Sequence, residues 1–190
     1  MAVAQRMTAA EYRELALRDS DAKWELWDGV PREKPTMSWE HNATYSLLGH
    51  LLWSQLDWNA YNVDINAPRT RINPWNYYLP DVAVVPVAYQ RRLNRGELAV
   101  YTDPLPRVVE VWSPSTGGYD IGAKLRGYQQ RGDEEIWSIH PYERTLTAWR
   151  RQADGTYEET VYHGGVVEVR SLPGVAIDLD ALLDRRRPGS

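Results

Sequence analysis

Two carboxylates stand where carboxylates are costly. Asp81 follows Pro80 and opens the run Val82-Ala83-Val84-Val85, and Glu110 interrupts Val108-Val109-Glu110-Val111-Trp112. Burying an ionised carboxylate in such a strand carries an effective penalty of several kcal/mol unless the charge is compensated. The compensation can be a raised pKa, an arginine partner or a bound cation. Either acid alone reads most simply as a strand-end carboxylate that is solvated or paired with arginine. If the two strands are neighbours, both acids meet at one end of a sheet, and two hard oxygen donors then stand where a divalent metal ion fits. Crowding and burial are then expected to raise the pKa of at least one of them.

Further side chains join this pair by position. Lys124 shares a helix face with Asp120 and Tyr128 at i, i+4 spacing, and that helix begins about seven residues after Glu110, so it must start near the same strand end. Asp120 with Lys124 also reads as an ordinary surface pair. Only three of the 22 basic residues are lysines, Lys23, Lys34 and Lys124, so a lysine in this chain carries more information than usual. Glu25, in Trp24-Glu25-Leu26-Trp27, reads equally as an outward hairpin charge or as a fourth member. His41 is either a helix-face residue or a ligand or proton shuttle. No His-Glu-x-x-His run, Gly-rich phosphate loop or nucleophile elbow is present.

The elements that must hold these residues are readable in outline. Thr8 with Glu11 forms a capping box opening a helix to about Leu17. Asp28-Gly29 is a hairpin signal. Ser38 caps a helix to about Asp57 whose apolar stripe is Leu47, Leu48, Leu51, Leu52 and Leu56. Strands are predicted at Tyr61 to Ile65, Arg69 to Ile72, Leu79 to Val87, Arg107 to Trp112, Glu135 to Ile139, Thr145 to Arg151 and Tyr157 to His163. A helix from about Tyr119 to Gln130 follows the Ser113 to Gly118 loop, and a last one runs from Asp178 to about Asp184. Val82 to Val85, apolar at every position, reads as a strand covered on both faces. The predicted class is α/β (α+β) around one central mixed sheet, flanked by helices, with an appended β-hairpin region. Residues 1–184 are expected to form a single domain and 185–190 a flexible tail.

The 190 residues hold no cysteine, which removes disulfide frameworks, thiol nucleophiles and cysteine metal sites. The net charge is −4, so the molecule is not the basic body of a non-specific nucleic-acid binder, and an anionic partner must be held locally. The longest apolar stretch, Val82 to Ala88, is far short of a membrane span, and the N-terminus lacks the apolar core of a secretory signal. The expected location is the cytoplasm.

The ordered motifs carry a family resemblance. Met-Thr-Ala-Ala-Glu-Tyr (Met7 to Tyr12), Trp-Glu-Leu-Trp-Asp-Gly (Trp24 to Gly29), His41 on a helix, Leu-Pro-Asp-Val (Leu79 to Val82), Val-Val-Glu-Val-Trp-Ser-Pro-Ser-Thr (Val108 to Thr116), Asp120 with Lys124 and Tyr128, and Glu-Ile-Trp (Glu135 to Trp137) follow one another. This succession resembles the Uma2 family of bacterial endonucleases, within the restriction-endonuclease-like PD-(D/E)XK superfamily. The resemblance implies a restriction-endonuclease-like core and a metal-dependent endonuclease acting on nucleic acid, DNA foremost. Asp81 and Glu110 would hold Mg²⁺, with Mn²⁺ as a substitute, and the backbone carbonyl of Val111 would be a further ligand. The superfamily lysine stands two residues after the Glu, where this chain has Trp112; Lys124 would replace it from the following helix. Glu25 would complete the catalytic set, directly or through water. The likeness also implies a homo-oligomer. The chain departs from the family pattern at Val30, where an acid is usual, and at His140, where an Asp is usual.

Arg69, Arg71, Arg91, Arg92 and Arg95 are the candidates for attracting a phosphate backbone. Two other readings compete. One is a non-catalytic interaction module that keeps the nuclease fold with remnant acids. The other, suggested by 9 tryptophans beside paired carboxylates, is a glycosidase.

Overall fold

A computed structural model describes residues 6–19, 21–115 and 117–184, with the backbone alone for 117–120. In chain order, α1 (Ala9–Arg18) leads into the hairpin β1 (Trp24–Trp27) and β2 (Val30–Glu33), then α2 (Trp39–Trp53) and β3 (Tyr61–Ile65). A second hairpin, β4 (Arg69–Asn73) and β5 (Asn76–Tyr78), precedes β6 (Val82–Pro86), the short α3 (Val87–Gln90), β7 (Val100–Tyr101) and β8 (Arg107–Val111). Then come α4 (Gly117–Arg131), β9 (Glu135–His140), β10 (Thr145–Arg151), β11 (Tyr157–Tyr162), β12 (Val166–Glu168), β13 (Ala176–Asp178) and α5 (Leu179–Leu183).

The central sheet has six strands in the order β11-β10-β9-β8-β6-β3. Only β8 and β9 run parallel within it, because α4 carries the chain back across the sheet between them; the other pairs are antiparallel. The strand of Glu110 and the strand that Asp81 opens are direct neighbours, with Val82 opposite Val109 and Ala83 opposite Val108. The apolar run predicted to be covered twice is covered twice. Val82 and Val84 pack with Val109, Val111 and the α2 residues Leu48 and Leu52, while Ala83 and Val85 pack with Val108, Ile136 and the α4 residue Tyr128. Alternation along one strand therefore feeds two cores, with one helix on each side.

The sequence leads to one sheet with hairpins appended, and the structure has more. A five-stranded sheet, β2-β1-β5-β4-β7, gathers both early hairpins beside the central sheet, and β12 pairs β13 in a small ladder. Two-residue and three-residue strands such as β7 and β5 are too short to show any periodicity. The predicted strand Leu79 to Val87 is broken. Strand β5 ends at Tyr78 and β6 begins at Val82, with Pro80 between them lacking a ladder donor. Helix α2 stops at Trp53 rather than near Asp57, though Leu56 still packs on the core that Leu48 and Leu52 enter.

Two glycines set geometry that matters below. At the β1–β2 turn, Asp28 and Gly29 both have positive φ (50° and 81°), as a tight hairpin requires. A Cβ on Gly127 would lie 2.8 Å from the Tyr78 ring, so glycine there lets α4 lie against β5. No helix among the described residues is long and apolar enough to cross a membrane. The side chain of Asp120 and the tail 185–190 lie outside the described residues.

Candidate active site

Asp81 sits between the two sheets at the start of β6, with its side chain 1% exposed. Its Oδ1 accepts a hydrogen bond from the Lys34 ammonium at 2.6 Å. Its Oδ2 accepts from the Val111 backbone N–H at 2.7 Å and meets His41 Nε2 at 3.1 Å. The ladder position explains the Val111 contact. β8 extends past the first residue of β6, and the carboxylate takes the N–H that a further β6 residue would otherwise satisfy. His41 arrives from the first turn of α2, where the Ser38 hydroxyl caps the His41 N–H at 3.3 Å. Burial works to raise the pKa of Asp81, yet Lys34 and His41 outweigh it and hold the carboxyl well below the usual range.

Glu110, on the neighbouring strand, is held from α4. Tyr128 donates its hydroxyl to Oε1 at 2.5 Å, and the Lys124 ammonium lies 3.3 Å from Oε1 and 3.4 Å from Oε2. Lys124 and Tyr128 are four residues apart on one helix face, so a single helix presents both to one carboxylate. Burial raises the Glu110 pKa, with Lys124 opposing it. The Lys124 pKa is nevertheless held up, because Glu110 and Glu25 outweigh its own burial. Burial and Glu110 together push the Tyr128 hydroxyl well above its usual value, so it keeps its proton and remains a donor.

Glu25 reaches this cluster from the other sheet, on β1. Its Oε1 accepts from the Lys124 ammonium at 2.7 Å and from the Leu79 N–H at 2.8 Å, and its Oε2 accepts from Trp27 Nε1 at 3.0 Å. Both oxygens are thus engaged by the chain itself, and Glu25 ties the β5–β6 connection and α4 to β1. The interruption at Leu79 and Pro80 frees the N–H that makes this tie.

A cleft of about 60 Å³ is lined by Glu25, Asp81, Glu110, Val111 and Lys124, together with Lys34 and Arg32. At roughly 10–15 Å³ of such space per water, the cleft has room for an ion together with several waters. Three carboxylates face two ammonium groups in the cluster, leaving anionic oxygen in excess. All-oxygen donors suit magnesium or manganese rather than zinc. Among the described residues no group of three or more His, Asp or Glu side chains converges as a metal cage. What fits is therefore the two-carboxylate arrangement, in which magnesium keeps its waters and takes phosphate oxygens.

The fold thus gathers Asp81, Glu110, Lys124, Glu25 and Val111 in one cleft and adds Lys34 to them, while His41, already a candidate from the sequence, reaches Asp81 from outside the cleft lining. Lys34 is one of only three lysines, a compositional signal that could have found it. His41 is drawn in by its place at the start of α2. None of the five arginines considered for phosphate attraction lines the cleft; Arg32, whose guanidinium lies over the Trp27 ring, does. Trp112, at the place of the superfamily lysine, turns from the cleft to stack on His140 at 4.2 Å between ring centroids.

The model of a family named Uma2 and described as "Putative restriction endonuclease" matches residues 9–181. No curated protein matches the chain in sequence. Among solved structures, the fold is similar to the crystal structure of "a putative nuclease belonging to DUF820 from Anabaena variabilis ATCC 29413". The TM-score is 0.71, over 84% of this chain and 89% of that one, at 19% sequence identity.

Proposed function

The chain belongs to the Uma2 family, and from that membership and the cleft we propose that it is a metal-dependent nuclease hydrolysing phosphodiester bonds, with DNA as the first substrate to test. The observation that carries the proposal is the convergence of Asp81 and Glu110, from adjacent strand ends, in a small cleft that also holds Lys124. Asp81 and Glu110 would hold Mg²⁺ or Mn²⁺, with the Val111 carbonyl as a further ligand. When bound there, the ion supplies Lewis-acid polarisation of a phosphate oxygen and a bound water of lowered pKa.

The chain's own groups do the rest. His41 and the Val111 N–H fix the orientation of Asp81, and Tyr128 fixes that of Glu110. Lys124 carries a permanent positive charge into the cleft, where it opposes the negative charge that builds on a phosphate during hydrolysis. Glu25 completes the catalytic set: its Oε1 holds the Lys124 ammonium, and its Oε2, which accepts only from Trp27 Nε1, can reach the ion directly or through water. A cytoplasmic location and assembly of several copies belong to the same proposal, on the family likeness.

The test is cleavage of single-stranded and duplex DNA and RNA with Mg²⁺ or Mn²⁺, by wild type, Asp81→Asn and Glu110→Gln. Wild type should cut at least one of these and both variants should not. If wild type cuts none, or Asp81→Asn cuts as well as wild type, the catalytic reading fails. The non-catalytic module then takes its place.

A further inference from the structure

Lys34 is the buried cation of the cleft to which the proposed reaction gives no task. It leaves the end of β2, and its side chain, 5% exposed, sits in a cage of three oxygens. These are Asp81 Oδ1 at 2.6 Å, Asn66 Oδ1 at 2.9 Å and the Leu79 carbonyl at 3.0 Å. An ammonium has three N–H donors, and here each has an oxygen. The cage is built with care: Asn66 adopts a positive φ of 48° and also donates its backbone N–H to the Asp81 carbonyl at 3.0 Å.

The consequence for Asp81 follows from counting lone pairs. Oδ2 is filled by the Val111 N–H and His41 Nε2, so Oδ1 is the oxygen left to a cation entering from the cleft. Lys34 is already on it. Two cations on one buried oxygen repel strongly where water does not screen them. Lys34 also has somewhere else to go. It lines a second cavity, of about 270 Å³, whose wall carries the carboxylates of Asp21 and Glu33 against, besides its own charge, the ammonium of Lys23.

We infer that Lys34 is a built-in counter-cation that competes with the divalent ion for Asp81 Oδ1 and withdraws towards Asp21 and Glu33 when the ion binds. The inference rests on the metal-dependent reading above. It makes Lys34 the residue that sets how tightly this chain holds its ion, rather than one that merely orients Asp81. The two roles differ in sign, since removing a competitor tightens ion binding and removing an orienting partner loosens it.

Calorimetric titration with MnCl2 of wild type and Lys34→Met, without substrate, reads that sign. The variant should bind Mn²⁺ about 10–100-fold more tightly, the scale on which groups around a metal site alter affinity. If Lys34→Met does not fold, Lys34→Gln is titrated instead, and wild type supplies a second measurement. With only three lysines, reductive methylation mapped by mass spectrometry can follow Lys34 in the intact chain. Lys34 should be protected without divalent ions and become modified as Mn²⁺ saturates. Equal or weaker binding by the variant, or a Lys34 that stays protected at saturating Mn²⁺, overturns the inference and leaves the nuclease reading standing. Absence of Mn²⁺ binding by wild type and variant alike overturns both.

Discussion

Strand β8 carries a buried charge cluster at each end, and the two are built on opposite balances. At the C-terminal end, Glu110 belongs to three carboxylates facing two lysines, and each carboxylate is hydrogen-bonded by the chain. At the N-terminal end, Arg107 and Arg150 share one carboxylate, Glu135, at 3.3 Å and 2.9 Å. Glu135 also accepts from the Ser171 N–H and Trp137 Nε1, at 2.9 Å and 3.0 Å. Arg107 is fully buried, its guanidinium lies 3.2 Å from the Trp137 ring centroid, and none of its three nitrogens has a hydrogen-bond partner among the described residues. Burial lowers its pKa to about 9, against the pull of Glu135. Burial of charge alone therefore does not mark a functional site. What sets the acidic end apart is the excess of anion in its cleft; at the basic end, where Glu135 and Arg150 also line a cavity, cations are in excess and the fully buried one is packed against an indole.

Substitutions at the two ends sharpen this contrast. The largest effect should come from Asp81→Asn or Glu110→Gln, which remove ion-holding oxygens and abolish metal-dependent cleavage. Circular dichroism should show the fold retained. Lys124→Met comes next. It should lower kcat by roughly 10²–10³-fold, as removal of one transition-state donor does. It should also destabilise by ~3–5 kcal/mol, because it strands two buried carboxylates; denaturant unfolding measures that part.

At the other end Glu135→Gln should cost a similar ~3–5 kcal/mol, since two arginines lose their shared partner, while kcat of the folded protein stays unchanged. Its pH signature follows from direction. Burial works to raise the Glu135 pKa, but Arg107, the Ser171 N–H and Arg150 outweigh it and leave the value lowered. The stabilisation is then present above the ordinary carboxylate range and lost as pH falls through the folded-state value, so unfolding free energy against pH should lose part of its acid-side fall in the variant. Arg107→Met should have the smallest effect, within about 1 kcal/mol of wild type, because Glu135 keeps Arg150 and an unbonded guanidinium leaves the interior. A loss of activity in Arg107→Met as large as in Lys124→Met would erase the distinction between the ends.

Much of the acidic end is legible in the sequence. Asp81 and Glu110 stand out because a charge in a valine run breaks an apolar pattern, and Lys124 follows from the short path between Glu110 and the next helix. Asp28-Gly29 and Ser38 announce their turn and cap by local chemistry alone. Lys34 and Glu25 were less legible for one reason. Lys34 meets Asp81 across 47 residues, and Glu25 meets the Leu79 N–H across 54.

Periodicity, capping and turn chemistry act over two to four residues, so the chain by itself determines which segments are strands or helices, which faces are apolar, and which acids are out of place. Which acid is paid with which cation depends on strand order and on where two sheets meet. The register that sets Val82 opposite Val109 brings the acids together, and the five-stranded sheet beside it delivers Glu25 to Lys124 and, from the end of β2, Lys34 to Asp81. Those pairings exist only once the sheets have assembled, because Coulomb and hydrogen-bond energies depend on distance in space and not on separation along the chain.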